Sequence, residues 1–314
     1  MILSTSTGND ILEHYEGEDA ADRHLETFFD TPFRYFNLDL PCIPSPSSVW
    51  LQDGDAWMRI IERVGRIAEE HKYHFICAHS PSSDYYADPD TQKKLLRAIE
   101  RSFAACAMLG IRQTAVHGLL LWKDRNTVSR RDVVAANLDF YLRLADSAEK
   151  YGVDILAENY QRDTRDCYPF TDGAGMRQFV KEAGIPRLHL LWDTGHANIA
   201  DRGSQYDDIV AMGDELRCLH VHDNWGNCDC HSIPFSGSVN FDGVMRGLID
   251  IGYSGAFNFE ASDLFIFSGE TGRGRTRTNC RPGDRLSDPP KKIITAYMNL
   301  LYQMGEWMLG EYGL

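Results

Sequence analysis

Glu158, Asp193, His220 and Glu260 each stand at the end of a short apolar run, and together their side chains have metal-binding chemistry. Two glutamates, an aspartate and a histidine make a mixed oxygen and nitrogen set suited to one divalent ion: Mn2+, Mg2+, Co2+ or Zn2+. Carboxylates brought face to face repel unless they are protonated or neutralised by a cation, and a divalent metal resolves that conflict. A single polar residue at a strand end is more often a hydrogen-bonded structural group. Here His79 and His117 close two further runs in the same way, so the residues read as one site.

More polar residues follow the same ends. In Trp192-Asp193-Thr194-Gly195-His196 the chain turns off a run at Gly195 and sets His196 beside Asp193. In Leu219-His220-Val221-His222-Asp223-Asn224 the two-residue alternation of a strand puts His220 and His222 on one face. The stretch Cys228-Asp229-Cys230-His231 adds Asp229 and His231; as a zinc knuckle it lacks a second ligand pair at matching spacing. Tyr160, Trp122 and Trp225 lie just past run ends, where an aromatic ring can stack on the apolar face of a sugar or pack a loop. His79, His117, His196, His222, Asp229, His231, Tyr160 and Trp225 are the candidate substrate contacts.

The elements that must carry these residues are legible from period. Short apolar runs at Ile2–Thr5, Tyr35–Leu40, His74–His79, Gln113–His117, Asp154–Asn159, His189–Thr194, Arg217–His222 and Ala256–Ala261 have the length of buried strands. Helical spacing occupies Asp55–His71, Thr91–Leu109, Arg131–Tyr151, Met176–Glu182, Tyr206–Asp214, Phe241–Ile251 and Pro290–Gly310. Gly110, Gly152, Gly184 and Gly252 each follow a helix and precede a strand, where a left-handed residue ends the helix. The alternation predicts an α/β fold. An open doubly wound sheet needs a topological switch point and usually a glycine-rich first turn, and neither is visible. The expectation is one (β/α)8 TIM barrel over residues 1–314, with chemistry at the C-terminal ends of its strands and an inserted loop at about 264–289.

Composition narrows the function classes. The chain has 314 residues, 43% of them hydrophobic, which is enough for a sizeable core. Its formal net charge of −14 repels polyphosphate backbones, so a dedicated nucleic-acid binder is disfavoured. A local exception is the loop with Arg273, Arg275, Arg277, Arg281 and Arg285, which suits an anionic substrate group, a neighbouring subunit in a homo-oligomer, DNA phosphates, or plain solvent. Eight scattered cysteines read as reduced thiols. No run approaches a membrane span and the N-terminus has no signal-peptide pattern, so the expected location is the cytoplasm.

The segments Ala157-Glu158-Asn159, Trp192-Asp193-Thr194-Gly195-His196, His220-Val221-His222-Asp223-Asn224 and Phe259-Glu260 resemble the xylose isomerase-like superfamily of barrels, in order and in strand position. That superfamily includes ketose epimerases, inositol-catabolism enzymes and apurinic-site endonucleases. In its isomerase branch, the resemblance implies one divalent metal on Glu158, Asp193, His220 and Glu260, with Glu158 and Glu260 also acting as acid and base. A keto-sugar or polyol chelated by the metal has an acidified C–H, and the two glutamates would pass its proton through an enediolate. In the endonuclease branch, the resemblance implies three zinc ions on His79, His117, Glu158, Asp193, His196, His220, Asp229, His231 and Glu260. Charge favours the sugar reading. One departure is that Asn224-Trp225-Gly226-Asn227 lacks the arginine that ketose epimerases place after the seventh strand.

Overall fold

The alternation of strands and helices closes on itself. A computed structural model describes residues 1–8, 20–40, 50–82, 89–119, 129–160, 169–200, 204–261, 265–266, 286–287 and 290–314. Within them, eight parallel strands form a closed barrel in sequence order. They are β1 (Ile2–Ser6), β2 (Tyr35–Asp39), β3 (His74–His79), β4 (Gln113–Val116), β5 (Asp154–Glu158), β6 (Leu188–Asp193), β7 (Leu216–Val221) and β8 (Ala256–Phe259). Closure comes from β8 pairing with β1, from Ile2 opposite Ala256 to Thr5 opposite Phe259.

The helices are α1 (Ala20–Leu25), α2 (Ala56–His71), α3 (Pro89–Leu109), α4 (Arg130–Tyr151), α5 (Gly173–Ala183), α6 (Thr194–Ala200), α7 (Gln205–Met212), α8 (Phe241–Asp250) and α9 (Lys291–Tyr312). Local chemistry sets their ends. Ser129 and Asp132 form a reciprocal capping box that starts α4, and Asp172 and Asn240 accept backbone N–H groups at the starts of α5 and α8. The predicted glycine turns are present, with φ of +72° at Gly110, +65° at Gly152, +60° at Gly184 and +66° at Gly252. In α2, Trp57, Ile60, Ile61, Val64, Ile67 and Ala68 are buried, the helical spacing that seats one stripe on the barrel.

Two helices escape the periodicity reading. The sequence predicts β6 running through Thr194 into a turn, whereas α6 begins on Thr194 with no connecting loop. Asp193, the last strand residue, supplies its own cap by accepting the His196 N–H at 2.6 Å. The helix α1 is only six residues long, too short for a periodic signal.

The strand interior is built in layers, as the two-residue period of a strand requires. A small cluster of Cys77, Ala115, Leu156, Leu191, Cys218 and Ala256 fills the barrel. Five of these lie two residues before His79, His117, Glu158, Asp193 and His220, and Ala256 lies four before Glu260. Small apolar side chains therefore floor a polar layer at the C-terminal mouth. A much larger apolar layer, including Trp192, Phe257 and Phe259, lies between strands and helices.

One expectation about the cysteines is corrected. Cys228 and Cys230 are joined as a disulfide, because the turn around Asp229 brings their Cα atoms to 5.6 Å, within bonding range. Cys77, Cys106 and Cys218 are free and buried, as packed thiols should be. Trp122, Cys42, Cys167, Cys280 and the five loop arginines lie outside the described residues. Of the loop at 264–289, the described residues are Phe265–Ile266 and Leu286–Ser287, which pair as a two-stranded parallel sheet. No helix among the described residues is long and apolar enough to cross a membrane.

Candidate metal centre and active site

Barrel closure brings the strand-end residues onto one mouth. Glu158, Asp193, His220 and Glu260 offer ligand atoms that all lie within 4.8 Å of one another. Nδ1 of His220 is 2.9 Å from Glu158 and 3.0 Å from Glu260. The other oxygen of Glu158 is 2.8 Å from Nε2 of His117 and 3.4 Å from Nε2 of His79. Asp193 meets Nε2 of His222 at 3.0 Å.

Glu158, Asp193, His220 and His222 are all buried. Strand pairing is reinforced at this level by Asn159, whose amide accepts the Asp193 N–H at 2.5 Å and donates to the Asp193 carbonyl at 2.9 Å. The Asp193 backbone is thereby locked to β5. The sequence reading passed over Asn159 except as a neighbour of Glu158.

Three histidines share one orientation. Nδ1 of His79 lies 3.0 Å from the Ser80 carbonyl, Nδ1 of His196 lies 2.9 Å from that of Asn159, and Nδ1 of His231 lies 2.8 Å from that of Glu260. A carbonyl only accepts, so in each ring Nδ1–H donates and Nε2 is turned into the mouth. This arrangement fixes the tautomer of many metal-binding imidazoles. His196, His222, Asp229 and His231 form a second group of ligand atoms, with His231 Nε2 at 3.2 Å from Asp229 and the His222 and His231 rings stacked at 4.0 Å. Two smaller groups, His79 with His220 and Glu260, and His79 with His117 and Glu158, complete the ring.

Electrostatics couple the carboxylates to the imidazoles around them. Burial opposes the charged form of Glu158, but the imidazoles of His220 and His117 outweigh it and hold its carboxyl well below the usual range. Burial likewise opposes charge on Glu260, and His220 and His231 bring it down. Burial disfavours protonated His220, yet Glu260 and Glu158 raise it well above an ordinary imidazole. His196 is raised against burial by Asp193 and Asp229.

Asp39, at the end of β2 and paired in register with His79, is a site residue that the sequence reading missed. Burial, helped by the Glu260 charge, pushes its carboxyl up to about 7. It accepts from the Gly8 N–H at 2.7 Å and from the Asn37 amide at 2.9 Å. The signal lay in the sequence: Asp39 stands next to last in the predicted strand Tyr35–Leu40, as Glu158 does in Asp154–Asn159.

Of the other substrate candidates, Tyr160 joins the site, its ring 5.7 Å from that of His117 and 5.3 Å from that of His196. Trp225 is 59% exposed, and among the described residues no ring contact links it to the cluster.

The donor chemistry fits a divalent cation. Three carboxylates converge with an imidazole, and the cations that pair with them among the described residues are histidines, never lysine or arginine. Nε2 of His220 and Nδ1 of His222 are buried and have no hydrogen-bond partner among the described residues.

Comparison with known proteins places this geometry. Residues 35–272 match the family described as xylose isomerase-like TIM barrel. The chain is 27% identical over 196 residues to an uncharacterized protein of Methanocaldococcus jannaschii, covering 60% of this chain and 65% of that one. It is 25% identical over 131 residues to ketose 3-epimerase of Arthrobacter globiformis, covering 42% and 43%. The chain thus spans less than two thirds of the length of these curated relatives. Among solved structures, L-ribulose 3-epimerase superposes with a TM-score of 0.73 at 16% identity, covering 99% of this chain and 96% of that one. The IOLI protein, solved with a bound zinc atom, gives 0.70 at 13% identity, covering 99% of each chain. At such identities these two likenesses concern the fold.

Proposed function

This chain belongs to the xylose isomerase-like TIM barrel family, and on that premise we propose that it is a divalent-metal-dependent epimerase or isomerase of a keto-sugar or polyol. The observation that carries this reading is the convergence of Glu158 and Glu260 on one buried imidazole nitrogen, at 2.9 and 3.0 Å from Nδ1 of His220. Two carboxylates opening on one space can take a proton from one side of a carbon and return it from the other. The epimerases among the relatives support the reaction class, and the zinc-bound relative supports the metal.

Glu158, Asp193, His220 and Glu260 would hold the cation. When bound, it polarises a substrate carbonyl and acidifies the neighbouring C–H. Glu158 and Glu260 move the proton, and His117 and His79 hold Glu158 in place by the contacts of its second oxygen. His196, His222, Asp229, His231 and Tyr160 ring the mouth as partners for substrate hydroxyls.

The test is solvent exchange. Metal-loaded protein incubated in D2O with a panel of ketoses and inososes should incorporate deuterium at the carbon beside the carbonyl of at least one member. No incorporation across the panel would remove the proton-abstraction reading.

A second reading, the zinc-dependent cleavage of abasic DNA by a three-metal cluster, draws on the three further donor groups around the mouth. The net charge of −14 weighs against a DNA ligand. Elemental analysis separates the two: about one ion per chain supports sugar chemistry, and about three with cleavage of abasic DNA supports the nuclease.

A further inference from the structure

Away from the barrel mouth, α9 presents an outer face unlike the rest of this acidic chain. Its inner face packs Ile294, Met298, Leu301, Gly305, Met308 and Leu309 into the protein. On the outer face Ile293, Leu300 and Trp307 recur every seven residues and are 38%, 50% and 55% exposed. Between them Ala296 and Gln303 are also exposed, and no charged residue occurs from 293 to 305. A seven-residue apolar repeat on a solvent-facing helix is the pattern of a helix that pairs with another.

The ends of the same helix carry opposite charge. Lys291 and Lys292 begin it, Lys291 already meeting Asp30 at 2.8 Å, while Glu306 and Glu311 stand in its last two turns, all four helix residues exposed. That order runs against the helix's own dipole, which favours acidic groups at the start and basic groups at the end. A second, antiparallel copy of α9 would reverse the sign, setting the Lys292 end beside the partner's Glu306 and Glu311.

We propose that the outer face of α9 is the contact between two copies of this chain, packed antiparallel about a twofold axis near Leu300. In that register Ile293 lies against the partner's Trp307, and Leu300 meets its own copy. A closed twofold contact of this kind is self-complementary, as the charge order requires. The 22-residue helix is about 33 Å long. One helix face of that length falls short of the roughly 800 Å2 per partner that a stable dimer buries. Phe235 widens the patch: it is 51% exposed and its ring lies 5.5 Å from that of Trp307. The proposal does not depend on the activity of the barrel mouth.

Sedimentation of the full chain across micromolar concentrations is the test. The wild type should form a dimer and Leu300→Glu a monomer with unchanged circular dichroism. Lys292→Glu should weaken the dimer at least tenfold, and adding Glu306→Lys and Glu311→Lys to it should restore the affinity. Leu300→Cys should cross-link to itself under oxidised glutathione, while Val210→Cys, exposed on α7, should not; this readout stands even if Leu300→Glu fails to fold. A wild type that stays monomeric, a Leu300→Glu dimer as tight as wild type, failure of the charge reversal to rescue, or no cross-link at position 300 would each overturn the proposal.

Discussion

The ring of His222 occupies the space in which a side chain on residue 195 would begin: a Cβ built on Gly195 comes within 1.9 Å of the His222 Cε1. Only glycine lets β6 turn into α6 while His222 keeps its contact with Asp193. Gly195→Ala should push the ring aside, costing about 1–3 kcal/mol of stability by overpacking. It should also lower metal affinity by about 10–100-fold, the usual effect of disturbing the groups that orient a ligand. Urea unfolding and calorimetric metal titration read the two effects separately.

Glu158→Gln and Glu260→Gln each remove one of the two proposed proton carriers while keeping side-chain volume. Either change should reduce turnover by about 100- to 10,000-fold. If the two glutamates act on opposite sides of the carbon, one variant should retain solvent exchange without completing epimerisation. Full activity in both variants would dismiss them as the acid and base.

Removal of the cation should be visible in stability. Chelation leaves three converging carboxylates without a divalent counter-charge, and re-addition of metal at a hundred times its dissociation constant should return about 2.7 kcal/mol. Thermal unfolding with and without chelator measures this. An unchanged midpoint would argue that no resident ion is bound.

Asp208 offers a pH signature away from the mouth. Its carboxyl accepts the Gly173 N–H at 2.8 Å and ties α7 to α5, and burial pushes it up to about 6 from an ordinary 3.8. Below about pH 4 the group is protonated in both folded and unfolded chains. Between about pH 4 and 6 the unfolded chain gives up its proton first, so stability falls as pH rises through that window. A rise of this size corresponds to about 3 kcal/mol, which partial exposure screens to on the order of 1 kcal/mol. Asp208→Asn keeps the acceptor and should match wild type at pH 4 while exceeding it by that margin at pH 8. Paired denaturation curves at the two pH values check the sign.

Local pattern alone specified much of this protein. Strands alternate with helices, glycines end the helices, and Glu158, Asp193, His220 and Glu260 close their strands, because period and capping are properties of neighbouring residues. Their convergence on one mouth follows once eight units are taken to close.

Contacts across the barrel were decided only by the folded chain. That His222 serves Asp193 while His220 serves the two glutamates depends on strand register, which no spacing within β7 encodes. Asp39 became a site residue because β8 pairs with β1 and so brings the β2 end near Glu260. The cysteine pair formed because a turn folds Cys228 back on Cys230. The apolar outer face of α9 emerged only when burial showed which side of that helix the barrel had already taken. Each depends on which distant residues meet, and long-range pairing leaves no periodic trace in the chain.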